Sequence, residues 1–321
     1  MLDPTRELDC ARAIFFPYVA QRKAQLAQAN IRLAHYCAAE SAVSIIRNQE
    51  IWMRSAAVMN DSSEVEYGMQ LLLHAYQQDA GAQFKAAIDD VFPSTLREVT
   101  EFFDSYRWEL RGETYLTSVS EHHPRENELG RLSMWRSYGG SAGVALVLRP
   151  EAISFPDEPL AGFALPVLYA DQEMFERTLR GVTQGILQAR DFIRERGQAW
   201  FLEWLHFMLR SLVLSTKHPG FAEEREWRVI HSPATVASGF LQREIVTIAG
   251  VPQIVYKIPL REPAHPGGPG LNIASLIERV IIGPTQHPAV MGEAFAALLA
   301  DAGVADAKER IGVSAIPLRH P

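Results

Sequence analysis

The stretch Phe221-Ala222-Glu223-Glu224-Arg225-Glu226-Trp227-Arg228-Val229-Ile230 crowds three carboxylates and two guanidinium groups into the entry of an aromatic, β-branched run. Trp227 to Ile230 reads as a strand. Because strand side chains alternate, Glu224 and Glu226 are expected on one face of it. Neighbouring carboxylates raise each other's pKa, and such pairs serve acid–base and ribose-binding chemistry. The competing reading is a salt-bridge ladder of Glu224, Arg225, Glu226 and Arg228, since ion-pair networks also perturb titration without catalysing anything.

Other candidates are scattered. His35 sits in the short apolar strand Ile31 to Tyr36, where a satisfied core histidine is the simpler alternative to a ligand-binding one. Ser118 and Ser120 fall in the strand Thr114 to Ser120. Trp135 and Tyr138 lie on a helical turn, Arg131 to Tyr138, closed by Gly139-Gly140. Trp135 and Trp227 also suit the core, because aromatic side chains dominate core energetics. Asn60-Asp61 with Glu64 has the spacing of a helix cap. His122-His123 is expected in a polar loop and has no supporting ligand spacing for a metal.

The elements that must position these residues mix helices and strands without strict βαβ alternation, which predicts an α+β fold. Its centre is a mixed or antiparallel sheet flanked by several long helices. Helices are expected at Leu8 to Ala29 with Asn30 as C-cap, Ser41 to Asn48 with Ser41 as N-cap, Glu64 to Asp79, Ser94 to Leu110, Gln172 to Glu195, Gln198 to Thr216 and Ala289 to Ala302. Further strands are expected at Ile51 to Met53, Ala142 to Leu148, Phe163 to Tyr169, Ile254 to Ile258, Arg279 to Ile282 and Gly312 to Leu318. The Pro/Gly-rich Arg261 to Gly270 reads as a loop. No clean linker or repeat interrupts the chain, so residues 1–321 are expected as a single domain, an N-terminal helix 8–29 and a core 31–318.

The chain has 321 residues with a net charge of −7, so no overall basic field recruits nucleic acid. Its two cysteines, Cys10 and Cys37, are far apart and outside any CxxC or Cys/His zinc pattern, which argues against a disulfide framework or a structural zinc and suits a reducing compartment. The expected location is the cytoplasm, because neither a signal peptide nor a run of about 18 apolar residues is present. GxGxxG and GxxxxGK[ST] loops are absent.

Several pieces, in order, resemble the bacterial DUF2971 family: His35-Tyr36, Asn60-Asp61 with Glu64, the Met134-Trp135-Arg136-Ser137-Tyr138 segment leading into a Gly-Val strand, the FAEEREWR strand, and Val280-Ile281-Ile282-Gly283-Pro284. Ser62-Ser63 departs from the Pro and apolar residue expected after Asn-Asp. A second resemblance carries chemistry. His35 opening a strand, the later TYLTSVS and the Glu224-Arg225-Glu226 pattern look like three successive motifs of ADP-ribosyltransferases, although they mix two branches of that group.

That likeness implies an ADP-ribosyltransferase-like core using NAD as co-substrate, in transfer or in NAD hydrolysis, within bacterial phage defence or toxin biology. Cleavage of the nicotinamide–ribose bond passes through an oxocarbenium-like state. In that reading Glu226 holds the ribose and stabilises positive charge, Glu224 activates the acceptor, and His35 binds a ribose hydroxyl. Tyr138 or Trp135 stacks on nicotinamide, Arg32 or Arg228 meets the diphosphate, and Tyr36 and Ser118 complete the binding set. The partners implied are a nucleic-acid or protein acceptor and an antitoxin or immunity protein, with no membrane. Two other readings stay open: a non-enzymatic ligand- or partner-binding module built on Trp135, Tyr138, Glu224 and Arg228, and a metal-dependent nuclease using Asp61, Glu64 and Glu226.

Overall fold

The computed structural model describes residues 4–58, 62–93, 95–106, 114–149, 162–233, 238–261 and 272–317. The fold is α+β, and the described residues hold twelve strands: β1 Arg32–Ala38, β2 Glu50–Ser55, β3 Tyr115–His122, β4 Gly143–Leu148, β5 Gly162–Pro166, β6 Leu168–Tyr169, β7 Thr216–Lys217, β8 Glu226–His231, β9 Gln242–Ile248, β10 Val251–Pro259, β11 Ile277–Ile282 and β12 Ile311–Val313. The chain divides into two compact units. One contains Met1–Gln25, Ala56–Thr114 and Leu165–Ala222; the other contains Leu26–Ser55, Tyr115–Ala164 and Glu223–Pro321.

The first unit is helical. Helix Pro4–Phe15 packs on Gln172–Gln188 and Gln198–Leu214, helices Ser62–Gln77, Asp79–Val91 and Thr95–Tyr106 pack on those two and on one another, and the small parallel pair β6–β7 joins them. Phe15 and Phe201 are fully buried, and Phe15 stacks on Trp204. Two close approaches explain small residues here: a Cβ on Gly68 would sit 2.3 Å from the Val213 carbonyl oxygen, and one on Gly185 would sit 2.6 Å from that of Ile14.

The second unit holds the large sheet, ordered β12-β11-β4-β1-β3-β2-β10-β9, with β8 pairing β3 and β5. The ladders β1–β3, β1–β4, β2–β3, β2–β10, β3–β8, β4–β11 and β9–β10 are antiparallel and β11–β12 is parallel, so the sheet is mixed. Residue β3 120–122 pairs with β1, whereas 115–116 pairs with β2. The sheet therefore divides along β3, with the main core on one face: Cys37, Val144, Leu146 and Leu148 join Met53, Ile258 and Val280 there. On the other face Ala34, Tyr36, Ala145 and Val147 pack against Met134 and Trp135 of the helix Leu132–Tyr138.

Several sequence expectations are corrected. The helix expected over 8–29 is two, Pro4–Phe15 and Pro17–Gln28, because Pro17 lacks the N–H needed to continue a helix but suits a first helical position. Asn30 does adopt the left-handed conformation (φ 47°) that ends it. The helix placed at Ser41 starts at Ala39, without a side-chain cap. Phe163 to Tyr169 is two strands, β5 and β6, and Gln172 to Glu195 breaks at Ala189. The helix Asp79–Val91 and strand β9 were not expected. Asn60, Asp61 and most of the Pro/Gly-rich loop lie outside the described residues.

Candidate functional site

β3 sits between β1 and β8 and sets the geometry. Ser120 is opposite both Ala34 on β1 and Glu226 on β8, while Ser118 is opposite Arg228. Directly opposed residues share a face, so Ser118, Ser120, Glu226 and Arg228 project together. Ser118 Oγ donates to Glu226 Oε1 at 2.5 Å, and Arg228 donates to the same carboxylate through Nε (2.8 Å) and Nη2 (3.2 Å). Glu226 and Arg228 are 8% and 5% exposed. This is a fork-on-carboxylate pair held inside the protein.

His35 does not join them. It is adjacent to Ala34, so its side chain leaves the sheet on the opposite face, that of Leu33 and Cys37. Its Nδ1 donates to the Ser118 carbonyl at 2.9 Å, between the end of the β1–β3 ladder at Ser120 and the start of the β2–β3 ladder at Leu116. A carbonyl only accepts, which fixes the tautomer of the neutral ring. Burial pushes the imidazole below its ordinary pKa, against the hydrogen bond to Ser118, which raises it. His35 thus reaches the carboxylate group through the backbone of Ser118.

Glu224 is not a strand residue. It ends the 3₁₀ segment Pro219–Glu224, and Arg225 turns through the left-handed region (φ 46°) before β8 begins. The shared-face spacing expected from simple alternation therefore does not apply. Its carboxylate accepts from Tyr138 Oη at 3.1 Å, and its carbonyl accepts from Ser120 Oγ at 2.5 Å.

A buried arginine organises this turn, and the sequence reading missed it. Arg131 grips Glu126 through Nε (3.0 Å) and Nη2 (3.1 Å) and reaches Ser120 Oγ (2.8 Å) and the carbonyls of Glu223 (3.0 Å) and Glu224 (3.2 Å) through Nη1. Its Nη2 also donates to the Glu121 carbonyl. Burial alone would raise the Glu126 pKa, but the hydrogen bonds from Arg131 and the His123 N–H, together with the charges of Arg131 and Arg225, hold it below its ordinary value. The available signal was the opposite charges of Glu126 and Arg131 in the short segment between strands β3 and β4, where a buried unpaired charge is costly.

The remaining candidates fall elsewhere. Trp135 is 1% exposed, meets Tyr36 edge-on at 4.9 Å and donates its indole N–H to the Leu129 carbonyl, so its ring faces are taken by packing. Tyr36 belongs to the same cluster, and burial pushes its phenol up to about 12. Arg32 pairs with Glu278 at 2.6 Å. Trp227 points to the opposite face from Glu226 and donates to Glu121 Oε1 at 3.0 Å. His122, expected in a loop, is the fully buried last residue of β3, bonded through Nε2 to Asn127 Oδ1. Of the carboxylates considered for metal binding, Asp61 and the Glu64 side chain lie outside the described residues, and among those described no group of three ligand-type side chains forms a metal cage.

The segment that carries Glu224, Glu226 and Tyr138 is also the one that matches a protein family. Residues 134–229 match DUF2971, a family described as a protein of unknown function. The DUF2971 match takes in Trp135, Tyr138, Glu224, Glu226 and Arg228, and it stops short of His35, Ser118 and Arg131. No curated protein and no solved structure matches the chain.

Proposed function

We propose that the Ser118–Glu226–Arg228 face supports ADP-ribosyl-type chemistry on NAD, as transfer to a nucleic-acid or protein acceptor or as hydrolysis, in bacterial defence or toxin biology. The observation that carries this reading is the hydrogen bond from Ser118 Oγ to Glu226 Oε1, across a ladder that also delivers Arg228 to the same carboxylate. Loss of nicotinamide places positive charge on the ribose, and a carboxylate fixed in one rotamer stabilises that charge without reorganising. Glu224, steadied by Tyr138, is the group assigned to the acceptor, and the half-buried Tyr138 ring replaces Trp135 as the stacking surface. His35 becomes a positioning residue, acting on Ser118 through its carbonyl.

The test is release of nicotinamide from NAD by the wild type, Glu226→Gln and Ser118→Ala, with DNA, RNA and protein each supplied as acceptor. Release that disappears in Glu226→Gln supports the reading, and dependence on an acceptor separates transfer from hydrolysis. A second reading, a ligand- or partner-binding module, is favoured by the near-complete burial of the Glu226–Arg228 pair. It predicts no release from a folded wild type under any of these conditions.

A further inference from the structure

We propose that Arg131 and Ser120 are positioning residues for Glu224: they clamp the main chain of its turn and so set where its carboxylate stands relative to that of Glu226. The acceptor role of Glu224 rests on the reading above, whereas the clamp is argued from geometry alone. The two serines of β3 make matching diagonal contacts across the β3–β8 ladder. Ser118 stands opposite Arg228 and reaches back to the Glu226 carboxylate; Ser120 stands opposite Glu226 and reaches back to the Glu224 carbonyl at 2.5 Å. The second contact falls beyond the end of β8, which begins at Glu226.

What needs holding is an unfavourable turn. Arg225 has φ 46°, a left-handed conformation that is costly for a residue with a side chain. No residue of the 3₁₀ segment Pro219–Glu224 is buried, so apolar packing does little to fix the turn. Polar contacts fix it instead. The Glu121 N–H donates to the Arg225 carbonyl at 2.9 Å, and Arg131 Nη1 donates to the carbonyls of Glu223 and Glu224.

Arg131 has more donors than an ion pair requires. Its Nε and Nη2 meet Glu126, which leaves Nη1 for Ser120 and the turn. A lysine can pair with Glu126 as a point charge but lacks the planar fork that serves both at once. Arg131 also stands at the N-cap of the helix Leu132–Tyr138, whose last residue donates its phenol O–H to Glu224 Oε1 at 3.1 Å. Glu224 is therefore held twice, by its carbonyl and by its carboxylate, and both tethers lead back to Arg131. In transfer, Glu224 takes the acceptor's proton as the acceptor's heteroatom bonds to the anomeric carbon of the ribose, and nicotinamide leaves with the electron pair of the broken bond.

The full chain, isotope-labelled at tyrosine Cζ, tests the clamp by nuclear magnetic resonance, with the Tyr138 signal identified by its loss in Tyr138→Phe. Glu224→Ala should shift that signal in the wild-type background. The shift should be about half as large or less in Ser120→Ala or Arg131→Lys, where Glu224 already stands away from Tyr138. A response that stays whole in both backgrounds overturns the proposal, because an arginine serving Glu126 alone would leave it so. Should Arg131→Lys fail to fold, judged by circular dichroism, Ser120→Ala decides by itself. Nicotinamide release then tests the catalytic consequence. In Ser120→Ala, kcat for transfer should fall by about tenfold or more relative to kcat for hydrolysis, with little change in the KM for NAD. An unchanged ratio overturns the link between the clamp and acceptor activation. A wild type that releases no nicotinamide, or releases it only to water, removes the acceptor role of Glu224. The tyrosine signal still decides the clamp, so the two failures are told apart.

Discussion

Replacing Arg131 with Gln should unfold the sheet unit far more readily than a surface arginine change would. The side chains of Arg131 and Glu126 are 5% and 9% exposed, so the ion pair is buried. Removing one partner of a buried pair costs about 3–5 kcal/mol, because the other charge is left uncompensated. Some of that is recovered here, since Glu126 keeps the His123 N–H and an Arg225 contact at 3.3 Å. Some is added, since Ser120 and the carbonyls of Glu121, Glu223 and Glu224 lose a donor. A net loss of about 4 kcal/mol corresponds to a fall in Tm of roughly 10 °C for a body of this size. Thermal unfolding followed by near-ultraviolet circular dichroism measures it. The sign with pH is also set: Glu126 has a depressed native pKa, so its contribution is complete above the unfolded value and fades as pH falls through the native one. The difference between wild type and variant should therefore shrink in acid. A loss below about 1 kcal/mol, or a Glu126→Gln/Arg131→Gln double variant whose loss is simply the sum of the singles, would refute the reasoning.

Other outcomes follow from single contacts. Gly283→Ala should destabilise by about 1–3 kcal/mol, since its Cβ would lie 2.8 Å from Trp135 Cε3 and 3.1 Å from the Gly143 carbonyl oxygen; urea titration decides. His35 and His122 are both held below the ordinary imidazole pKa by burial, so the unfolded chain binds protons first and stability should fall as pH drops below about 6.5. His122→Gln should flatten that profile, measured as Tm against pH. Burial pushes the Cys37 thiol up to about 12, so a thiol reagent near pH 8 should label at most one cysteine of the native chain and two after denaturation.

Periodicity carried most of the sheet. Ile31 to Tyr36, Ala142 to Leu148 and Arg279 to Ile282 are apolar runs that are buried on both faces, and each lies within a residue or two of its observed strand. β9 was missed because Gln242, Arg243 and Glu244 dilute its pattern on an exposed edge, where burial imposes no alternation. The acidic motif was legible as a cluster and illegible as a geometry. Alternation from Glu226 back to Glu224 assumes a continuous strand, and only the left-handed turn at Arg225 shows that the strand stops. His35 and Glu226 look compatible by order along the chain. Their separation depends on the register of two ladders that no local spacing reveals.

The two units exchange the chain at five junctions, after Gln25, Ser55, Thr114, Ala164 and Ala222. The DUF2971 match crosses two of these, so it does not coincide with either folded body. A fragment cut to residues 134–229 would carry Glu226 without β1 and β3, the strands that give it neighbours, and should not fold into this arrangement. Recombination faces the same restriction: no single crossover can hand either unit intact to another gene. The segments held by each unit are therefore expected to be inherited together, so insertions are tolerated best within turns such as Ala249-Gly250 rather than by swapping whole blocks.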